Sequence, residues 1–125
     1  MAEHQLAATR LPRAVEKYVR AMNAHDWPGV RASFAGQFER VGPFAEHQFN
    51  DPDVYTAFLA DLLPTIENHS IEVTRVANVG DVSYVTIRER LRRDGTNVES
   101  YVCLACDLAP DGRIRRIEAF LRRTA

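Results

Sequence analysis

The spacing of apolar residues changes once along this chain, at Pro64, and that change constrains the fold more than any other feature. Before Pro64, apolar side chains recur every third or fourth position, as on one face of a helix; after it they alternate, as on a half-buried strand. The helical part holds three stripes. Ala14, Val15, Tyr18, Val19 and Met22 form the first, which Asn23-Ala24-His25 ends. Trp27, Val30 and Phe34 form a short second one, with Asp26 as its N-cap and Pro28 in its first turn. Tyr55, Phe58, Leu59, Leu62 and Leu63 form the third, opened by Asp51-Pro52 and stopped by Pro64. Between the second and third stripes, Phe38 to Val41 reads as a short strand ended by Gly42-Pro43.

The alternating part reads as four long strands. Ile71, Val73, Arg75, Ala77 and Val79 share one face of the first; Val85, Ile87, Glu89 and Leu91 share one face of the second. Val98, Ser100, Val102, Leu104 and Cys106 mark the third, and Ile114 to Arg122 make the last. Gly80-Asp81, Asp94-Gly95 and Pro110-Asp111-Gly112 are turns short enough to force an antiparallel meander. Strands much longer than about 5–6 residues must bend or bulge. The expectation is an α+β fold: three N-terminal helices packed in the concave face of a strongly curved antiparallel sheet, a cone with an apolar interior.

Length and charge limit the rest. A chain of 125 residues fits one domain, here residues 1–125, with residues 1–10 lacking any period and expected to be flexible. With 46% hydrophobic and 26% charged residues it lies in the ordinary globular range. A net charge of -1 provides no field to gather nucleic acid or an acidic membrane surface. The arginines at 88, 90, 92, 93, 113, 115 and 116 are interleaved with Glu89, Asp94, Asp111 and Glu118, as on a solvated or interfacial face. No apolar run nears the roughly 20 residues of a membrane span, and no signal-peptide core opens the chain, so a cytoplasmic location is expected. Cys103 and Cys106 form a CxxC, but on a strand their side chains diverge, which favours two packed free thiols over a redox or zinc site. The histidines His4, His25, His47 and His69 show no ligand spacing; neither a metal nor a cofactor is expected.

The order of these elements resembles the nuclear-transport-factor-2-like superfamily, which includes the ketosteroid isomerases and the SnoaL-like polyketide cyclases. Val15 to Asp26 resembles its opening helix and "N-A-x-D" turn, Phe34-Ala35 its "F-A", Asp111-Gly112-Arg113-Ile114 its "D-G-K-I" turn, and Ile117 to Phe120 its closing strand. The resemblance implies a ligand inside the cone. In ketosteroid isomerases a tyrosine of the first helix stabilises the developing enolate, and Tyr18 matches it. Their general base precedes a proline; here Gly42 precedes Pro43, and their second oxyanion donor falls on Leu104, so that arrangement is absent. Limonene-epoxide hydrolases of this fold use an Arg-x-Asp pair and a further aspartate, which fall on Ile87, Glu89 and Ala119, leaving an acid at Glu89 only.

Three side chains are therefore candidates for chemistry. Glu89 interrupts an apolar strand face, where a carboxylate either moves protons or pairs with a cation, for which Arg40 on the short strand is the candidate. Tyr18 is an oxyanion donor or a core tyrosine, and His47 a general base at the cone mouth or a solvated loop histidine. Trp27, Phe38, Arg40, Phe58, Leu62, Ile87, Ser100, Leu104 and Ile117 are expected to line the pocket. His25-Asp26 reads as helix punctuation rather than a dyad. The expected function is a cofactor-free isomerase, cyclase or dehydratase acting on a small hydrophobic, polyketide- or terpenoid-like ligand. The rival is a non-catalytic binding or assembly module. The outward-facing Tyr101, Cys103, Ala105 and Phe120 predict a homodimer through the sheet's outer face.

Overall fold

The computed structural model describes residues 10–42 and 48–121. His47 lies outside the described residues. The observed elements run α1 (Arg13–Ala24), α2 (Trp27–Ala32), β1 (Phe34–Val41), α3 (Pro52–Leu62), a 3-10 turn (Leu63–Thr65), β2 (Glu67–Val79), β3 (Val82–Arg93), β4 (Thr96–Leu108) and β5 (Ile114–Leu121). Among the described residues these are three helices and a five-stranded sheet, an α+β fold.

Local chemistry explains the helix ends. Residue His25 adopts a left-handed conformation (φ 55°), and the N–H groups of His25 and Asp26 turn back to the carbonyls of Met22 (3.2 Å) and Ala21 (2.8 Å). These two bonds are a Schellman ending. Asp26 Oδ1 then accepts from Gly29 N at 3.1 Å, and α2 begins. A Cβ at Gly29 would crowd the other oxygen of that carboxylate, so the cap in this geometry favours glycine there. Asp51 Oδ1 caps α3 by accepting from Asp53 N (2.8 Å) and Val54 N (3.1 Å).

The strand order is β1-β5-β4-β3-β2. Strands β2 to β5 form the antiparallel meander, and the Asp94-Gly95 hairpin has positive φ at both residues (52° and 76°), as a type I′ turn needs. Two features differ from the sequence reading. β1 starts at Phe34, four residues early, and joins β5 in parallel, so the sheet is mixed. β2 is also not one continuous face: its register shifts between Val73 and Arg75. An extra residue inverts the alternation beyond it, so Val76 and Asn78 turn inward while Val79 is 66% exposed. A second shift lies between Glu67 and Ser70, where Asn68 has φ 55°. Bulges of this kind bend the sheet around the helices.

The core fills the narrow part of the cone with Val15, Val30, Phe34, Val85, Ile114 and Ile117, each fully buried. On the outer face Arg88 pairs with Glu72, Arg90 with Glu99 (3.0 Å), and Arg116 with both Glu39 (2.8 Å) and Glu118 (2.9 Å). In the arginine-rich stretches Arg88, Arg90, Arg92, Arg113 and Arg116 are each paired with a carboxylate. Among the described residues, no helix is long and apolar enough to cross a membrane.

Candidate active site

The helices do not fill the wide end of the cone. A cavity of about 260 Å³ remains there, walled by α1, α3, β1 and the concave faces of β2 to β5. Its size is just under the roughly 300–1,000 Å³ usual for drug-sized ligands, which suits a small molecule. Most of the wall is apolar: Met22, Phe49, Phe58, Leu59, Ile87 and Leu104 contribute to it. The polar groups enter from two directions.

One polar group comes from the β2 edge. Glu89 stands opposite Ile71 on β2 and Ser100 on β4. Its Oε2 lies 2.8 Å from Nε2 of His69, which the Asn68 bulge delivers to the cavity wall. The His69 side chain is 3% exposed and that of Glu89 is 34% exposed. Nδ1 of His69 is buried and bonds to no described residue. A buried N–H without an acceptor is costlier than a bare lone pair, so the proton belongs on Nε2, where it is donated to the Glu89 carboxylate. Oε1 of Glu89 takes no hydrogen bond from a described residue and is free for a ligand. The backbone here is pinned by Asn23, whose side chain donates to Ile71 O and accepts from Ile71 N, both at 2.8 Å. The asparagine that ends α1 thus fastens it to the edge strand directly opposite Glu89.

The other polar group comes from β1, at the opposite edge of the sheet. The backbone of Arg40 exchanges two hydrogen bonds with Phe49 (2.7 and 2.8 Å), and its guanidinium lies 5.7 Å from the Tyr55 ring centre. Nε donates to Tyr55 Oη at 3.1 Å and Nη1 to Val41 O at 2.8 Å. The Tyr18 hydroxyl also interacts with that of Tyr55. Burial raises the Tyr18 pKa well above the usual phenol range, and Tyr55 raises it further, against the pull of Arg40. Tyr18 is therefore a neutral donor. Tyr55 Oη thus accepts from Arg40 and stands beside the Tyr18 hydroxyl. Desolvation pulls Arg40 down, but Tyr55 and Tyr18 outweigh it and leave the guanidinium more firmly charged. Burial pushes the Cys106 thiol up to about 12, so it is inert packing.

Of the residues read from sequence, Tyr18, Glu89, Arg40, Phe58, Leu62, Ile87 and Leu104 line this cavity. Four others sit elsewhere. Trp27 stacks on His25 (5.2 Å) at the margin of the core. Phe38 is packed against Phe34 (4.1 Å) and lies behind Tyr55. Ile117 is wholly buried in the narrow end, and Ser100, though opposite Glu89, is not among the lining residues. Arg40, the candidate cation for Glu89, does not pair with it; His69 does, because β1 and β3 are separated by β5 and β4. Tyr55 and His69 escaped the sequence reading. Tyr55 fits a helical stripe like any core aromatic; His69 precedes Ile71 by two and follows from extending that strand's alternation backward.

A wider groove of about 520 Å³ lies outside the cone along β1 and the start of α3, but Glu39 and Arg116 in its wall already pair with each other. Among the described residues no group of three or more metal-ligating side chains forms.

The model of the SnoaL-like domain family matches residues 15–117. No curated protein matches the chain in sequence. Among solved structures, an epoxide hydrolase of limonene-epoxide-hydrolase-like type from M. tuberculosis superposes with a TM-score of 0.76 at 18% identity, covering 88% of this chain and 80% of its own. A protein of ketosteroid-isomerase-like fold from Catenulispora acidiphila, solved with trimethylamine, gives 0.78 at 14% identity and 89% and 86% coverage. A polyketide cyclase-type protein from Sinorhizobium meliloti gives 0.74 at 19% identity and 88% and 95% coverage. At these identities the likeness establishes the fold.

Proposed function

The chain belongs to the SnoaL-like domain family, and from that premise we propose that it is an enzyme that moves protons, with its own side chains, on a small, mainly hydrophobic carbonyl compound held in the cone. One observation carries this reading: a carboxylate stands in an otherwise apolar wall, oriented by a buried histidine at 2.8 Å, in a cavity that also holds a hydroxyl network. Glu89 Oε1 takes a proton from a carbon next to the ligand carbonyl. The electron pair of that C–H bond moves onto the carbonyl oxygen, and Tyr55, polarised by Arg40 and Tyr18, donates to the resulting enolate. Returning the proton to another carbon gives isomerisation; attack of the enolate carbon on a second carbonyl closes a ring; loss of a β-hydroxyl gives dehydration. His69 acts through Glu89 as a positioning residue.

Solved structures that share this fold include an epoxide hydrolase and a polyketide cyclase-type protein. The test is a crystal structure with a substituted phenol as enolate mimic. Its oxygen should lie about 2.6–3.2 Å from Tyr55 Oη, with the ring against Phe49 and Phe58. A phenol bound only in the groove outside the cone contradicts the reading.

A further inference from the structure

The surface arginines Arg88, Arg90, Arg113 and Arg116 each meet a carboxylate. Arg40 differs: it projects into an apolar cavity, and among the described residues no acid pairs with it. Its five N–H donors are only partly used, since Nε takes Tyr55 Oη, Nη1 takes Val41 O, and Nη2 bonds to no described residue. A guanidinium withdrawn from water is retained where an anion completes it, and its planar fork fits a carboxylate with two parallel hydrogen bonds. The residue is also fixed in advance, by paired backbone bonds to Phe49 and by Tyr55.

We infer that the ligand is an apolar acid, whose carboxylate seats on the Arg40 guanidinium while its hydrocarbon body lies against Phe49, Phe58 and Leu59. Because Arg40 also bonds Tyr55, a carbonyl at the Tyr55 hydroxyl lies only a few bonds from that carboxylate. The substrate class is therefore a small keto acid rather than a neutral ketone. Nearly nine water volumes of about 30 Å³ fill 260 Å³, room for one aryl ring and a short acid chain. This inference takes its location from the cavity reading above, and its test reads binding rather than turnover, so either can fail without the other.

The probes are 4-phenylbutanoate and its primary amide, which match in shape and differ in charge. Titration calorimetry on the wild-type protein at pH 7 should find the acid binding at least tenfold tighter than the amide. That preference should collapse toward unity in Arg40→Gln and persist in Glu89→Gln, and proton NMR should place the aryl ring against the aromatic wall. Equal affinity for acid and amide, failure of both to bind at millimolar concentration, or a preference that survives Arg40→Gln overturns the inference. If Arg40→Gln does not fold, the wild-type comparison and the NMR contacts decide it alone.

Discussion

Replacing Glu89 separates the two roles a carboxylate can have in this wall. His69 is 3% exposed, its Nδ1 already lacks a partner among the described residues, and its Nε2–H depends on Glu89 Oε2. Glu89→Leu leaves a buried donor with no acceptor, which costs about 1–3 kcal/mol. Because Glu89 is one-third exposed, leucine recovers part of this through apolar burial, and a net loss of roughly 1–2 kcal/mol is expected. For a domain of this size that lowers Tm by about 4–8 °C. Glu89→Gln is different: its amide oxygen still accepts from His69, so the loss should stay under about 1 kcal/mol while proton transfer disappears. Adding His69→Phe to Glu89→Leu removes the orphaned donor and should restore at least about 1 kcal/mol, a clear departure from additivity. Thermal and urea melts of the four variants check this. If glutamine destabilises as much as leucine, or His69→Phe adds its full cost to Glu89→Leu, the pairing of Glu89 with His69 is not what holds this wall.

Tyr55→Phe strips the Arg40 Nε bond and the cavity hydroxyl together, and should lower turnover by about 10²–10³-fold with stability reduced by about 1–3 kcal/mol; unchanged turnover removes Tyr55 from the site. Asn23→Ala breaks both hydrogen bonds to Ile71 and should destabilise by roughly 1–3 kcal/mol, with earlier hydrogen exchange along β2; a neutral melt shows that the edge strand needs no such tie. Cys106 is fully buried and its thiol is held protonated, so alkylation of the native protein at pH 8 should leave it unmodified, while the denatured, unreduced chain should titrate two thiols; a missing thiol would reveal a disulfide. Of the residues behind the homodimer expectation, Phe120 is 48% exposed on the outer sheet face while Ala105 is buried within the chain; the expected result is a dimer, and light scattering that gives one chain's mass at micromolar concentration refutes it.

The fold was legible because it depends on signals that are local and periodic. The stripes of α1 and α3, the Asp26 and Asp51 caps and the Asp94-Gly95 hairpin are each written in a few adjacent residues, and each lies where the sequence places it. The site was legible only in part, for three physical reasons. Alternation marked Glu89 as an intruder in an apolar face, but its partner is chosen by strand order, and sequence does not reveal that β1 adds to the far side of β5. The β2 bulge between Val73 and Arg75 shifts the face by one residue without a glycine or proline to announce it, which misplaced Ala77 and Val79, and His69, though in phase with Ile71, precedes the apolar residues that marked the strand. Tyr55 obeys the helical period whether its hydroxyl is idle or bonded to Arg40, so no pattern of apolar positions distinguishes the two.

The central claim, that Glu89 removes a proton from a carbon acid inside the cone, is tested most directly by hydrogen–deuterium exchange. Wild-type protein, Glu89→Gln and Tyr55→Phe are incubated in D₂O with small aryl keto acids and aryl ketones, and loss of the signal next to the carbonyl is followed by proton NMR. The account predicts exchange above the buffer rate for a compound that binds the wild-type protein, reduced about 10²–10⁴-fold in Glu89→Gln although that variant still binds it. Binding to the wild-type protein without exchange, or exchange that continues undiminished in Glu89→Gln, contradicts it.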